Sequence, residues 1–399
     1  MAANSNITTL RRVLTQLKPL VPCETKAYKN TRGRWPNFGG DTITVWNDFS
    51  LDNLNESYGH ILDLQVAEQR LAVPQPDQML AAIEIAKSDD VLHLLKWSDE
   101  VLWPTLNFAR EHLNIQNGVF LRHNVSTPDK STITRLNGGP SRVTVDHFIA
   151  LDEYPVSNLV VGIGKPSSKF HGRELADHPG DVSQELMWPL RQLANLCKTA
   201  KTRYGYILTD EDLVACCFSQ HTSDKMKVAL MPIPWSRHGE NQLTTDLALW
   251  WLSMLAMSGP QHRAIVREAE MVRINEWEIR YAGDERGWVR RHRYSNFEGP
   301  ADSPPPPVCR PPSPGNVAAN AAAFAAQVGI NADPLFSLNP MADGNFDGFD
   351  IEAYLNPAAA GNPMAANLGD FNFVDLADLD AAATGRGSAN SHAAWGFNG

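Results

Sequence analysis

The sequence predicts an α/β (α+β) domain built on a mixed sheet flanked by helices, with a helical N-terminal region and a disordered C-terminal tail. Apolar and β-branched runs at 142–151, 158–165 and 203–209 predict three strands. Apolar residues at helical spacing over 188–201 predict a helix before the third strand. After residue 299 the composition shifts to proline, alanine, asparagine and glycine, which is typical of a segment without a core.

The predicted organisation is therefore an N-terminal helical and loop region at 1–89, a folded domain at 90–298 and a tail at 299–399. In the N-terminal region, helices are predicted over residues 7–17 and 76–86 from their apolar spacing. The turn-rich stretch 20–58 is predicted to be a loop.

The folded domain is predicted to open with a helix over 91–113, interrupted near Pro104. Short strands are predicted at 118–123 and 131–136. The Asn-Gly-Gly-Pro sequence that follows is a strong turn signal, so the strand at 131–136 is expected to form an antiparallel hairpin with 142–151.

After the central region the pattern predicts one more hairpin and one buried helix. The hairpin is formed by residues 212–218 and 225–231, and the helix covers 246–257. At about a dozen residues this apolar helix is too short to span a bilayer. Residues 261–298 are predicted to be mixed helix and loop.

Charge divides the chain unevenly. The tail carries ten acidic and two basic residues, which account for −8 of the formal charge of −10 and leave about −2 for residues 1–300. The nearly neutral front part is weak support for strong nucleic-acid binding, which normally leaves a basic footprint.

The cysteines and the N-terminus predict the compartment. Five scattered cysteines without a CxxC pair indicate a reducing environment. The first residues lack the apolar core of a secretory signal, and no apolar run is long enough to cross a bilayer. A nuclear or cytoplasmic location without membrane contact is expected.

Two charged residues interrupt the central strands. Asp146 lies in the first strand, and Lys165 ends the second. A charge buried in a strand costs free energy unless a partner compensates it, so both are candidates for a site. The alternative is that both are solvent-facing strand residues, because apolar and polar positions alternate around Asp146.

Residues 90–260 resemble the PD-(D/E)xK nuclease superfamily, and in particular the nuclease-like domains found in fungal genomes. That family has a helix, three antiparallel strands, a helix and a further strand. Asp146 matches its aspartate, Lys165 matches its lysine, and Gln192 resembles the glutamine that many members carry on the next helix. The stretch 202–210 looks like the strand that follows.

The resemblance implies Mg²⁺-dependent hydrolysis of phosphodiester bonds in nucleic acid, with Asp146, Lys165 and Gln192 as catalytic residues. Carboxylates bind the hard cation, which activates a water, while the lysine stabilises the developing charge. The position two residues before Lys165 is Ile163 instead of an acid. Glu185 is the candidate second metal ligand beside Asp146, Glu111 is a further alternative, and Ile163→Glu is expected to improve metal binding.

Two function classes therefore remain: a metal-dependent nuclease, and an inactive nuclease-like protein that binds nucleic acid or a protein partner. The missing acid at Ile163 implies weak or absent Mg²⁺ binding and favours the second class. A basic cluster is predicted either to contact nucleic acid or to form a solvated face; it comprises Arg286, Arg290, Arg291 and Arg293.

The acidic tail is expected to bind a protein partner. Two stretches, 346–355 and 371–380, alternate aromatic or aliphatic residues with acids, as amphipathic interaction segments do. Fused to a DNA-tethering domain, the tail should activate a transcription reporter. Changing the apolar anchors Phe349, Phe371, Phe373, Val374 and Leu376 to Ala should abolish that signal, and an unchanged signal would refute the hypothesis.

Overall fold

The computed structural model describes residues 6–38, 40–116, 118–136, 143–181, 183–222 and 225–301. Within these ranges the strands are β1 (Ile7–Thr8), β2 (Ile43–Val45), β3 (Val66–Ala67), β4 (Leu121–Val125), β5 (His147–Leu151), β6 (Ser157–Gly164), β7 (Tyr204–Leu208), β8 (Asp212–Gln220), β9 (Met226–Pro234), β10 (Trp277–Tyr281), β11 (Trp288–His292) and β12 (Glu298–Pro300). The helices are α1 (Leu10–Leu14), α2 (Leu51–Leu62), α3 (Glu68–Leu71), α4 (Pro76–Leu80), α5 (Leu92–Leu113), α6 (Gly172–Asp177), α7 (Gln184–Ala200), α8 (Thr245–Met257) and α9 (Pro260–Arg263).

A large mixed sheet organises the described residues, in the order β2-β9-β8-β7-β6-β5-β4. The strands β4, β5 and β6 are antiparallel neighbours. The strand β7 pairs parallel to β6 after the crossover through α7, and β8 and β9 return as an antiparallel hairpin. The prediction of a mixed sheet flanked by helices is confirmed.

Helices cover both faces of this sheet. One apolar cluster joins α1, α2, α5 and α8 to the sheet, and the other joins α6 and α7 to the opposite face. Every residue of α8 is buried, which agrees with a helix that is apolar around its whole circumference. Thr244 caps α8 by accepting a hydrogen bond from the amide of Leu247.

The hairpin predicted before β5 is mostly replaced by another pairing. Residues 134–136 and 143–145 share two backbone hydrogen bonds and the single bridge Arg135–Thr144, and the turn at 137–140 lies outside the described residues. β5 begins only at His147 and pairs with β4 instead. The predicted strand at 131–136 is therefore wrong.

Three predictions for the helices differ from the structure. The helix α2 begins inside the stretch 20–58 that was predicted as loop; Ser50 caps its first turn and its apolar face reaches the core. The helix α5 continues through Pro104, against the prediction of an interruption. The helix at 7–17 is shorter than predicted, since Ile7 and Thr8 pair with β3.

A small antiparallel sheet, β10-β11-β12, occupies the region predicted as mixed helix and loop. Because β12 runs to Pro300, the predicted tail boundary at residue 299 cuts through a strand. The basic cluster is largely paired within this sheet. Arg286 binds Glu298 at 2.6 Å, Arg293 lies 3.6 Å from Glu276, and the Arg290 guanidinium stacks on a tryptophan.

No helix in the described part of the chain combines the length and the apolar character needed to cross a bilayer.

Candidate functional site

Asp146 and Lys165 meet at one edge of the large sheet. Asp146 immediately precedes β5 and Lys165 immediately follows β6. Because these strands are antiparallel, the start of one lies beside the end of the other. The Asp146 carboxylate accepts a hydrogen bond of 3.0 Å from the amide of Gly164, next to Lys165 in the chain. The sequence-predicted pair is therefore brought together.

The two side chains are half-buried and influence each other. Burial raises the pKa of Asp146, and the charge of Lys165 and the amide of Gly164 oppose that rise. Burial lowers the pKa of the Lys165 ammonium, and the Asp146 carboxylate opposes that change. Each charge thus compensates part of the desolvation of the other.

The turn after Lys165 is fixed by a buried carboxylate. Asp210, which follows β7, accepts hydrogen bonds of 2.7 Å from both the amide and the hydroxyl of Ser167. The amide of Lys165 itself donates to the carbonyl of Leu208 at 3.0 Å. The backbone around Lys165 is therefore attached to β7 on both sides of Pro166.

Asp89 is a site residue that the sequence reasoning missed. It lies in a 3₁₀ turn before α5, and its charge raises the pKa of both Asp146 and Lys165. Its carboxylate is 3.7 Å from the Lys130 ammonium. The carboxylate of neighbouring Asp90 instead stabilises the local turn, since it accepts hydrogen bonds from the backbone amides of Ala86 and Lys87. Sequence spacing alone gave no signal that distinguishes these two acids.

The other predicted site residues lie in different surroundings. Glu185 is in the first turn of α7, where its hydrogen bond from Arg32 lowers its pKa. Glu111 is exposed and pairs with Arg70 at 3.4 Å. Gln192 is half-buried on α7, between the core residues Leu190 and Leu193, and its side chain has no hydrogen-bond partner among the described residues. The charges that shift the pKa of Asp146 are those of Lys165 and Asp89.

Ile163 is fully buried, in the apolar cluster that joins α7 to the sheet. A glutamate at this position would place a carboxylate in that core, where an unpaired charge costs about 3 kcal/mol or more. The burial of Ile163 therefore argues against the expectation that Ile163→Glu supplies a metal ligand. The substitution is expected to destabilise the domain instead.

A chain of buried hydrogen bonds lies directly beside the site. The His147 ring bonds the Tyr206 hydroxyl through Nδ1 and the Asp99 carboxylate through Nε2, the latter at 3.0 Å. His123 Nδ1 binds the same carboxylate at 2.7 Å. The Tyr206 ring lies over Gly162, where a Cβ would come within 2.2 Å of its Cζ. Glycine in the intervening strand thus lets tyrosine and histidine meet across β6.

Asp99 is the charged group at the centre of these hydrogen bonds. Burial alone would raise its pKa, but the hydrogen bonds from His123 and His147 outweigh burial and lower the pKa to about 2. The carboxylate is therefore ionised at neutral pH and holds both imidazoles. It anchors α5 to β4 and β5.

The described residues contain no group of three or more His, Cys, Asp or Glu side chains arranged to hold a metal ion. Asp146 and Asp89 are the carboxylates that share the electrostatic environment of Lys165. The donor set at this edge therefore does not fit a strong magnesium site, which takes oxygen ligands in near-octahedral geometry.

Comparison of the chain with family models, with curated proteins and with solved structures gave no significant match.

The Asp99 interaction should make the protein more sensitive to acid. Because the folded-state pKa of Asp99 lies below its unfolded value, its stabilisation is present above pH 4 and is lost as the pH falls toward 2. Between pH 5 and pH 3, the free energy of unfolding of the wild type should fall by about 1 kcal/mol more than that of Asp99→Asn. Urea unfolding curves measure this difference.

The matched control is Asp52→Asn, which removes an exposed carboxylate from the first turn of α2. Because this variant keeps the Asp99 interaction, its free energy of unfolding should still fall more steeply with acid than that of Asp99→Asn. A parallel pH dependence of wild type and Asp99→Asn would show that Asp99 is not held ionised by the two histidines.

Proposed function

We propose that this chain contains a PD-(D/E)xK nuclease-like domain that binds nucleic acid and has lost efficient metal-dependent cleavage. The observation that carries the proposal is the meeting of Asp146 and Lys165 at one sheet edge. The order α5-β4-β5-β6-α6-α7-β7, in which α6 is a short addition before α7, also supports it, because β4 to β6 are antiparallel and β7 is parallel to β6. This is the arrangement that the resemblance implies.

The site's chemistry favours binding over hydrolysis. Lys165 is a half-buried cation at the edge of the sheet and is suited to pair with a phosphate oxygen. A bound Mg²⁺ would polarise the scissile phosphate and lower the pKa of its water. Asp146 would be its principal protein ligand, and the nearby Lys165 charge opposes the cation. We infer weak Mg²⁺ binding.

Asp89 supports a second candidate, a weak nuclease. Its charge influences both Asp146 and Lys165, which makes it a candidate substitute for the carboxylate missing at Ile163. In that case Asp89 and Asp146 would share the metal, and Glu185, paired with Arg32, would have no part. The location would be nuclear or cytoplasmic for either candidate, and the acidic tail would recruit a protein partner.

Calorimetry with Mg²⁺ and Mn²⁺, together with cleavage of plasmid and single-stranded substrates, distinguishes these candidates. The wild type should bind either metal weakly and leave the substrates intact. Asp146→Asn should reduce the heat of metal binding further, since it removes the principal ligand. Lys165→Met should strengthen metal binding, because a cation that opposes the metal is removed.

Asp89→Asn separates the two candidates, with Asp52→Asn as the control for removal of an exposed carboxylate. Wild-type cleavage that is lost in both Asp146→Asn and Asp89→Asn would overturn the inactive assignment and establish the nuclease candidate. Cleavage that persists in Asp146→Asn would remove Asp146 and Lys165 from the function altogether.

A further inference from the structure

A cavity of about 630 Å³ beside the C-terminal end of α7 is lined by cations from three separate segments. Arg34 lies in the loop before β2, and Lys198 and Lys201 lie at the end of α7. Lys225 immediately precedes β9. We call this the basic groove. Among its described lining residues none is acidic.

The charges of the basic groove are uncompensated within the described part of the chain. All four side chains belong to exposed residues, and none forms an ion pair there. Lys198 lies at the C-terminus of α7, where a cation also stabilises the helix dipole. That role does not account for Arg34 and Lys225, which lie on other segments. The convergence stands out in a front part whose total charge is nearly neutral.

An aromatic ring lies among these cations. Trp35 lines the basic groove and is half-buried. It meets Trp188 of α7 edge to face, with ring centroids 6.0 Å apart, and the Arg191 guanidinium covers Trp188 at 4.7 Å. Arg191 also donates a hydrogen bond to Asn37, two residues after Trp35. The Trp35 ring is thus held in place by its contact with Trp188 of α7.

Several cations around a supported, partly open indole match the requirements of single-stranded nucleic acid. Lysine and arginine neutralise successive phosphates, and unpaired bases stack on aromatic faces. A duplex offers the phosphates but keeps its bases stacked inside. A sulfated or phosphorylated polymer without bases offers no ring for Trp35.

We propose that the basic groove binds single-stranded nucleic acid, with a base stacked on Trp35 and the backbone phosphates on Lys198, Lys201 and Lys225. This inference rests on the proposed function, because it names the polymer that the nuclease-like domain binds. The groove and the Asp146–Lys165 edge are joined by α7. Asn30 donates hydrogen bonds of 2.9 Å to the carbonyls of Lys169 and Glu185, which fixes the start of α7 beside the segment that follows Lys165.

The test is fluorescence anisotropy of a labelled oligothymidine with the full chain, in EDTA and at several salt concentrations. Lys198→Ala/Lys225→Ala should weaken binding and lower the slope of log K against log salt by about 1.4, as expected for two lost contacts to single strands. Arg12→Ala/Lys96→Ala removes two exposed cations elsewhere and should leave the slope unchanged.

Trp35→Ala should weaken binding about tenfold, the loss expected for one stacked base, while Trp35→Phe should retain most of the affinity. Circular dichroism and thermal unfolding check that both variants fold. A duplex should bind more weakly than the single strand, and heparin should bind without dependence on Trp35.

Absence of binding at low salt would overturn the inference, and so would equal affinities of wild type and Trp35→Ala. Failure of the groove is distinguished from failure of the Asp146–Lys165 assignment, because the metal and cleavage experiments test that assignment separately.

Discussion

The fold around the site depends on one buried interaction, the hydrogen-bonded chain Tyr206–His147–Asp99. It joins β7, β5 and α5, and it crosses β6 at Gly162, where a side chain would collide with the tyrosine ring. A buried, ionised carboxylate is costly unless its acceptors are satisfied, and here two imidazoles satisfy it. Because Asp146 precedes His147 in the chain, the interaction that holds the histidine also fixes where the candidate site begins.

The site itself is a balance between burial and a small number of charges. Asp146 and Lys165 each lose hydration at the sheet edge, and each offsets part of the other's loss. Asp89 and Lys130 add a second, more exposed pair at the same edge. Because the Lys165 charge already offsets part of the carboxylate's desolvation and would repel a divalent cation, we propose binding without efficient hydrolysis.

Continuous apolar runs made the centre of the fold predictable. The strands at 158–165 and 203–209 and the helix at 246–257 were predicted within a few residues, because buried elements have few polar positions. The small β10-β11-β12 sheet was missed because its short strands bury few residues and carry no continuous apolar run. Arg280 and Arg286 both pair with Glu298 in this sheet. The same pairs explain why a basic cluster in the sequence is not a free basic surface.

The site was only half predictable for a related reason. Asp146 and Lys165 interrupt apolar strands, which is visible in the sequence, and an antiparallel pairing then brings them together. Asp89 reaches the same edge through tertiary packing of α5, and its sequence neighbour Asp90 serves a backbone turn instead. The burial of Ile163 depends on the face that α7 covers, and Trp35 becomes part of the basic groove only through Trp188.

The most direct test of the central claim is the pKa of the Asp146 carboxyl, measured by carbon-detected NMR in the wild type and in Lys165→Met. The pKa should lie above the ordinary aspartate value in the wild type, because burial raises it, and should rise further when the opposing lysine charge is removed. Addition of Mg²⁺ should move the wild-type titration only slightly. An ordinary pKa that does not respond to Lys165→Met would contradict the account, since the two residues would then not share a site.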